Sequence, residues 1–418
     1  MTEVLTYPNG LRVVVSNNSS IRSVSCGIWA GVGSNLEDAN NNGISHFTEH
    51  MMFKGTDKLS AFDIANEFES LGAMINAFTS KEMTCYYFMS VDEYLEKGFS
   101  LLSHIFFDST FDEGELDKER KVIVEEINMV EDTPSDISRD KIHEAVYGNK
   151  GLGRTILGPI ENVLRFNGDD VRAHIKKYYT ATNLVVTFSG NVTVELADKL
   201  VRRYLLDRVN CDNIAFPKTE NTQNSRVYLD RIKDFEQSSI EISFPAFAID
   251  DQRATALRAF NVVMGGGMSS RLFQSVRERQ GLAYSVYSSP SVFSNAGTYE
   301  ISLNISKENT EKSVKAVKEE IDKFLCDGIT QSELDRTKVQ LKSSTVFGNE
   351  SAMNVMIANG KKMLLTGKLV NIDEIIEEIG ALTKNDVDSV AKTVLDYSKV
   401  CSAYVGKECG VNILDLLK

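Results

Sequence analysis

The second half of this chain reads as a faint copy of the first, and that repeat limits the fold more than any other feature. Ile240 to Phe247 is an apolar strand ahead of a loop and a helix, as is Ser23 to Ala30. Ser332-Glu333-Leu334-Asp335 repeats the character of Gly114-Glu115-Leu116-Asp117 at a similar depth. At 418 residues the chain also exceeds the size at which one hydrophobic core keeps growing. Two domains of similar size are therefore expected, each a mixture of strands and helices. Residues 207–226 are polar and carry a proline, which suits a linker between 1–206 and 227–418.

Within the first half, Pro8-Asn9-Gly10 predicts a turn before the apolar run Leu11 to Val15. Asn40-Asn41-Asn42-Gly43 predicts a loop, with a helix starting at Ile44 and Gly55 ending it. Ala73 to Met89 reads as strand, interrupted at Thr79-Ser80-Lys81-Glu82. Helices follow over about Asp92 to Phe107 and Glu113 to Glu131, the second bounded by Pro134.

That helix at Ile44 carries Ser45-His46-Phe47-Thr48-Glu49-His50-Met51-Met52, the pattern H-x-x-E-H. Residues four apart share a helix face, so His46 and His50 can aim two imidazoles at one ion. Glu49 lies on nearly the same face, placed to take a proton from an attacking water. Ile44, Phe47 and Met51 form the apolar stripe that docks the helix. A third ligand is expected from the Glu113–Glu131 segment, where Glu119, Val122, Ile123, Glu126, Ile127 and Val130 recur at spacings of three and four. A carboxylate on a buried face is costly unless a cation relieves it, and Glu126 is the expected partner of the two histidines. Glu119, seven residues earlier, would orient a ligand from behind, whereas Glu125 points outward. Two imidazoles, one carboxylate and an open position favour Zn2+, one per chain.

Other classes fit less well. The formal charge of -13 opposes nucleic-acid binding, which depends on Lys and Arg neutralising phosphates. Met1 to Tyr7 lacks a basic segment followed by an apolar one, and no run of about 18 apolar residues occurs. These features predict a cytoplasmic protein that does not span a membrane. Cys26, Cys85, Cys211, Cys326, Cys401 and Cys409 form no C-x-x-C pair and are expected to be reduced. Gly265-Gly266-Gly267 lacks the Lys-Ser/Thr of a phosphate loop, and His104, His143 and His174 share no spacing with the motif.

At the histidine motif the sequence resembles the inverzincin peptidases of the pitrilysin family (M16), in the branch of the processing peptidases. The likeness covers Gly43 through Thr56 and places Glu126 at the family's distant glutamate ligand and Glu119 at its accessory glutamate. It extends over essentially the whole chain. The resemblance implies an α+β fold of two homologous α/β domains, each a mainly antiparallel sheet with helices packed on it, related by pseudo-twofold duplication. It implies a zinc endopeptidase that acts on oligopeptides or unfolded segments inside a chamber formed by a homodimer. Gly72 to Thr79 resembles the family's edge strand, where Asn76, Ala77 and Phe78 would receive the substrate as an added strand. Arg277 and Tyr284 match an arginine and a tyrosine that reach the bound peptide, from the partner chain by analogy. Tyr284 would steady a developing oxyanion. Ser344 and Met264 occupy the positions equivalent to Glu126 and the His46 helix, and the second half holds no histidine. The competing expectation is a noncatalytic peptide-binding subunit of a heteromeric processing complex.

Overall fold

The computed structural model describes residues 2–212 and 221–418. Its described chain packs as two compact units, each around its own sheet.

The first unit holds β1 (Thr2–Thr6), β2 (Arg12–Asn17), β3 (Ser23–Ala30), β4 (Met74–Thr79), β5 (Thr84–Val91) and β6 (Leu184–Gly190) in the order β1-β2-β6-β3-β5-β4. Every neighbouring pair is antiparallel except β2 with β6. A turn at Pro8-Asn9-Gly10, with Gly10 at φ +90°, reverses the chain between β1 and β2. β3 and β6 are buried along nearly their whole length, as expected of central strands with both faces covered.

The second unit holds β7 (Tyr228–Ile232), β8 (Ser238–Ala246), β9 (Ala283–Val292), β10 (Gly297–Ile305) and β11 (Cys401–Gly406) in the order β7-β11-β8-β10-β9. Again one pair, β7 with β11, is parallel and the rest antiparallel. This is the order β2-β6-β3-β5-β4 repeated without an equivalent of β1, so the internal copy seen in the sequence is a copy of topology. The α+β class with two mainly antiparallel sheets, each carrying helices, is the observed one.

The packing units do not coincide with the contiguous stretches 1–206 and 227–418. Helix Pro134–Tyr147 belongs to the second unit and packs on β8 and β11, where Ile142, Ala145 and Val146 meet Cys401 and Ala403. Helix Ala352–Thr366 belongs to the first, where Met356 and Met363 cover Val14, Trp29, Cys85 and Val185. Each sheet thus gains the cover of its second face from the other stretch of sequence. Residues 213–220 of the expected linker lie outside the described residues.

Local boundaries follow the sequence with small differences. Asp92–Tyr94 forms a tight 3-10 turn before helix Leu95–Asp108, and Glu113–Glu131 is helical throughout. The His46 helix runs Ile44–Met51 and is capped by Met52; Gly55, at φ +129°, belongs to the turn beyond it rather than to its end. Among the described residues no helix is long and apolar enough to cross a membrane. All six cysteines are unpaired.

Candidate metal centre

The helix Ile44–Met51 starts at Gly43, whose φ of +102° places it in the left-handed region, and Gly43 has no side chain to cap the exposed N–H groups. A remote carboxylate does so instead. Glu37 Oε2 accepts from the Gly43 N–H and from Asn42 Nδ2 at 2.8 Å each, and Oε1 accepts from the Ser45 N–H at 2.9 Å. Burial raises the Glu37 carboxyl while these hydrogen bonds work against it, and its ionised form also complements the helix dipole. Ile44, Phe47 and Met51 are buried, as their spacing predicts, which turns His46, Glu49 and His50 to the opposite side.

Ligand atoms of His46, His50 and Glu126 all lie within 4.8 Å of one another. Glu126 Oε2 is 3.7 Å from His46 Nε2 and 3.6 Å from His50 Nε2. Helix Glu113–Glu131 brings Glu126 there by burying Leu116, Glu119 and Ile123. Its apolar stripe is narrower than its spacing predicts, since Val122 is 44% exposed and faces solvent.

Glu119 is buried and accepts from His50 Nδ1 at 3.0 Å. An ionised carboxylate can only accept, so the proton sits on Nδ1 and the Nε2 lone pair is left facing Glu126. The second oxygen, Oε1, pairs with Lys54 Nζ at 2.6 Å. Burial alone would raise the Glu119 carboxyl, but the hydrogen bonds from His50 and Lys54 outweigh it and hold the group below its ordinary value. For His50, burial pulls downward while the Glu119 hydrogen bond and the charges of Glu126 and Glu49 raise it on balance. Burial, reinforced by the charge of His50, pushes His46 down to about 3, so it is neutral at pH 7. A neutral imidazole, an oriented imidazole and a carboxylate at these separations form a donor set that fits zinc.

Glu49 is half-buried, and its Oε2 accepts from Thr79 Oγ1 at 2.5 Å. Burial raises its carboxyl, and the Thr79 hydrogen bond works in the opposite direction. Neither Lys54 nor Thr79 follows from the motif alone. Thr79 was reachable through strand alternation, because it shares a face of β4 with Ile75 and Ala77. Ile75 and Ala77 pack on the first unit's main core, whereas Phe78 on the other face meets Trp29 edge-on at 5.7 Å.

Asn76, Ala77 and Phe78 lie in β4, the last strand of its sheet, whose outer edge has no strand partner among the described residues. The Ala77 N–H is held by the Asn76 side-chain oxygen at 2.8 Å. Arg277 and Tyr284 belong to the second unit. Arg277 lies in a π-helical stretch, Phe273–Arg279, with its guanidinium 4.9 Å from the Phe273 ring centre and 5.9 Å from that of Tyr284. Tyr284 is the second residue of β9 and is 72% exposed.

His104 contacts Asp108 at 2.7 Å and Thr56 at 2.9 Å, with Asp57 at 3.5 Å. Arg208 already pairs with Asp108 at 2.5 Å, so this group is a satisfied network that ties down the loop after Gly55. His174 is buried and pushed down to about 3 by burial.

Residues 12–160 match the family model described as Insulinase (Peptidase family M16), and residues 165–341 match the one described as Peptidase M16 inactive domain. The chain is 40% identical over 401 residues to a Bacillus subtilis protein named uncharacterized zinc protease YmxG, covering 95% of this chain and 97% of that one. A Streptomyces coelicolor protein, named uncharacterized zinc protease SCO5738, is 36% identical over 93% of this chain and 86% of its own length. Among solved structures, a Pseudomonas fluorescens peptidase M16 inactive domain superposes with TM-score 0.90 at 21% identity, covering 98% of both chains. A protease from Helicobacter pylori gives TM-score 0.91 at 21% identity, covering 97% of this chain and 99% of that one. At that identity the two structures speak for the fold, while the family models and the sequence relatives speak for descent: the chain belongs to peptidase family M16.

Proposed function

We propose that the protein is a zinc metallo-endopeptidase that hydrolyses oligopeptides or unfolded polypeptide segments. The observation that carries this reading is the convergence of His46, His50 and Glu126, from two helices far apart in sequence, to within 4.8 Å. These three residues hold one Zn2+ per chain, in keeping with relatives named zinc proteases. When bound, the ion supplies positive charge that polarises a scissile carbonyl and eases deprotonation of water. Glu49 takes the proton of the attacking water and delivers it to the leaving amine. Glu119 fixes the His50 ring through Nδ1.

The open edge of β4 around Asn76, Ala77 and Phe78 receives the peptide as an added strand, which reads an extended backbone and demands little of its sequence. Residues 1–206 act as the catalytic domain, apart from helix Pro134–Tyr147, and 227–418 as the substrate-binding one, apart from helix Ala352–Thr366, with 207–226 connecting them. Two copies form a chamber in the cytoplasm, and Arg277 and Tyr284 of one copy serve the metal site of the other. The exposure of Tyr284 and its neighbour Arg277 leaves both available for that role. The test is incubation with a mixed peptide library, with and without chelator, read by mass spectrometry. Chelator-sensitive internal cleavage is expected; no cleavage by the zinc-loaded protein would instead favour a peptide-binding subunit.

A further inference from the structure

The strand that would receive the substrate is also the strand that holds the base. β4 ends at Thr79, and the Thr79 hydroxyl donates to Glu49 Oε2 at 2.5 Å. Glu49 Oε1 has no hydrogen-bond partner among the described residues, so the two oxygens are not equivalent. One is fixed to the sheet and the other is left to meet a proton.

Helix Ile44–Met51 fixes only the backbone of Glu49; three side-chain torsions remain, and a carboxylate at the end of them samples several positions. A single short hydrogen bond to a β-branched side chain on a paired strand removes that freedom. Thr79 is opposite Thr84 on β5, so its own backbone is fixed by the ladder. Strand alternation supplies the rest, because Ala77 and Thr79 point to one face while the edge of the same strand stays open.

We propose that Thr79 is a positioning residue for Glu49, locking Oε2 so that Oε1 faces the reacting water, and that it fixes the distance between the base and a peptide paired along β4. The inference rests on Glu49 being the base. A plain structural role is the competing account, in which the hydroxyl merely satisfies a half-buried carboxylate. The two differ in what they do to turnover, zinc and binding.

The experiment compares T79V, T79S, T79A and E49Q with the unaltered protein, all zinc-loaded, on one fluorogenic oligopeptide chosen from the library. Measured quantities are kcat, KM, zinc content and the thermal midpoint. Valine keeps the β-branched shape and removes the donor, and serine keeps the donor. T79V is expected to lower kcat roughly 10- to 100-fold, the scale of a misplaced catalytic group, with KM and zinc content unchanged. T79S should recover most of the kcat, and T79A, which also lacks the donor, should show the same fall in kcat and replaces T79V should valine prevent folding. Full kcat in T79V or T79A beside an inactive E49Q would overturn the role of Thr79 alone. Loss of zinc or of the thermal midpoint in step with kcat would assign Thr79 to structure. An active E49Q would remove the base itself and leave the Thr79 contact without this meaning.

Discussion

Glu119 Oε2 lies 3.0 Å from His50 Nδ1, and its other oxygen lies 2.6 Å from Lys54 Nζ. A buried carboxylate is thereby held ionised between a ring it orients and an ammonium that balances it. The orientation of His50 depends on a residue 69 positions away, and that is what makes its Nε2 a directed donor.

Removing Glu119 should therefore weaken metal binding without touching a ligand. E119A is expected to lower zinc affinity about 10- to 100-fold, the range typical of lost outer-sphere partners. Competition against a chromophoric chelator measures this. An affinity equal to that of the unaltered protein would remove Glu119 from the centre.

Glu37 caps the same helix from a distance through two hydrogen bonds to its first N–H groups, with a third to the Asn42 side chain. E37A leaves the Gly43 and Ser45 N–H groups buried without an acceptor, at a cost of about 2–4 kcal/mol. Urea unfolding should show the lower midpoint. The His46 helix should also exchange its amide protons faster than in the unaltered protein.

Gly360 sits where a Cβ would come within 2.2 Å of Trp29, a fully buried side chain whose indole N–H donates to Thr187 at 2.9 Å. Alanine would favour the helix by up to about 1 kcal/mol, but overpacking against an immobile ring costs about 1–3 kcal/mol. G360A should therefore be destabilised on balance, with altered tryptophan emission, since the chain has a single tryptophan. A rise in the unfolding midpoint would contradict this packing.

In the second unit, burial pushes the Glu241 carboxyl up to about 8, with the charge of Glu300 adding to it and the Ser302 hydrogen bond opposing it. The folded protein then keeps a proton that the unfolded chain releases near its ordinary value of 4.5. Stability from this group is complete below that value and is lost as pH rises toward 8. E241Q, which cannot ionise, should lose less stability between pH 5 and pH 8, by on the order of 2–4 kcal/mol. Parallel urea titrations at the two pH values check the sign.

What the sequence discloses of this protein is what short-range periodicity can carry. His46 and His50 share a helix face by spacing alone, and the same reasoning narrows the third ligand to the two carboxylates Glu119 and Glu126. The buried one, Glu119, backs His50, whereas Glu126, its side chain 37% exposed, is the one that faces both rings. The order of strands in each sheet is visible only as a faint repeat. Lys54, Thr79 and Glu37 escape such reasoning because their roles arise from contacts with Glu119, Glu49 and the N–H groups of a neighbouring helix end. Lys54 reads as a solvated lysine until the fold places it beside a buried acid. The helices Pro134–Tyr147 and Ala352–Thr366 read as continuations of their own stretches of sequence, since amphipathicity says which face is buried but not against which sheet. Val122 shows the limit from the other side: its spacing fits the stripe, yet the helix is rotated enough to expose it.

The central claim is tested most directly by metal content. Zinc per chain should be measured by elemental analysis after equilibration against a weak chelator, for the unaltered protein and for H46A, H50A, E126A and E49Q. The account predicts one zinc in the unaltered protein and in E49Q, the latter inactive, with zinc lost from the other three. Stoichiometric zinc in H46A, H50A and E126A alike would contradict it.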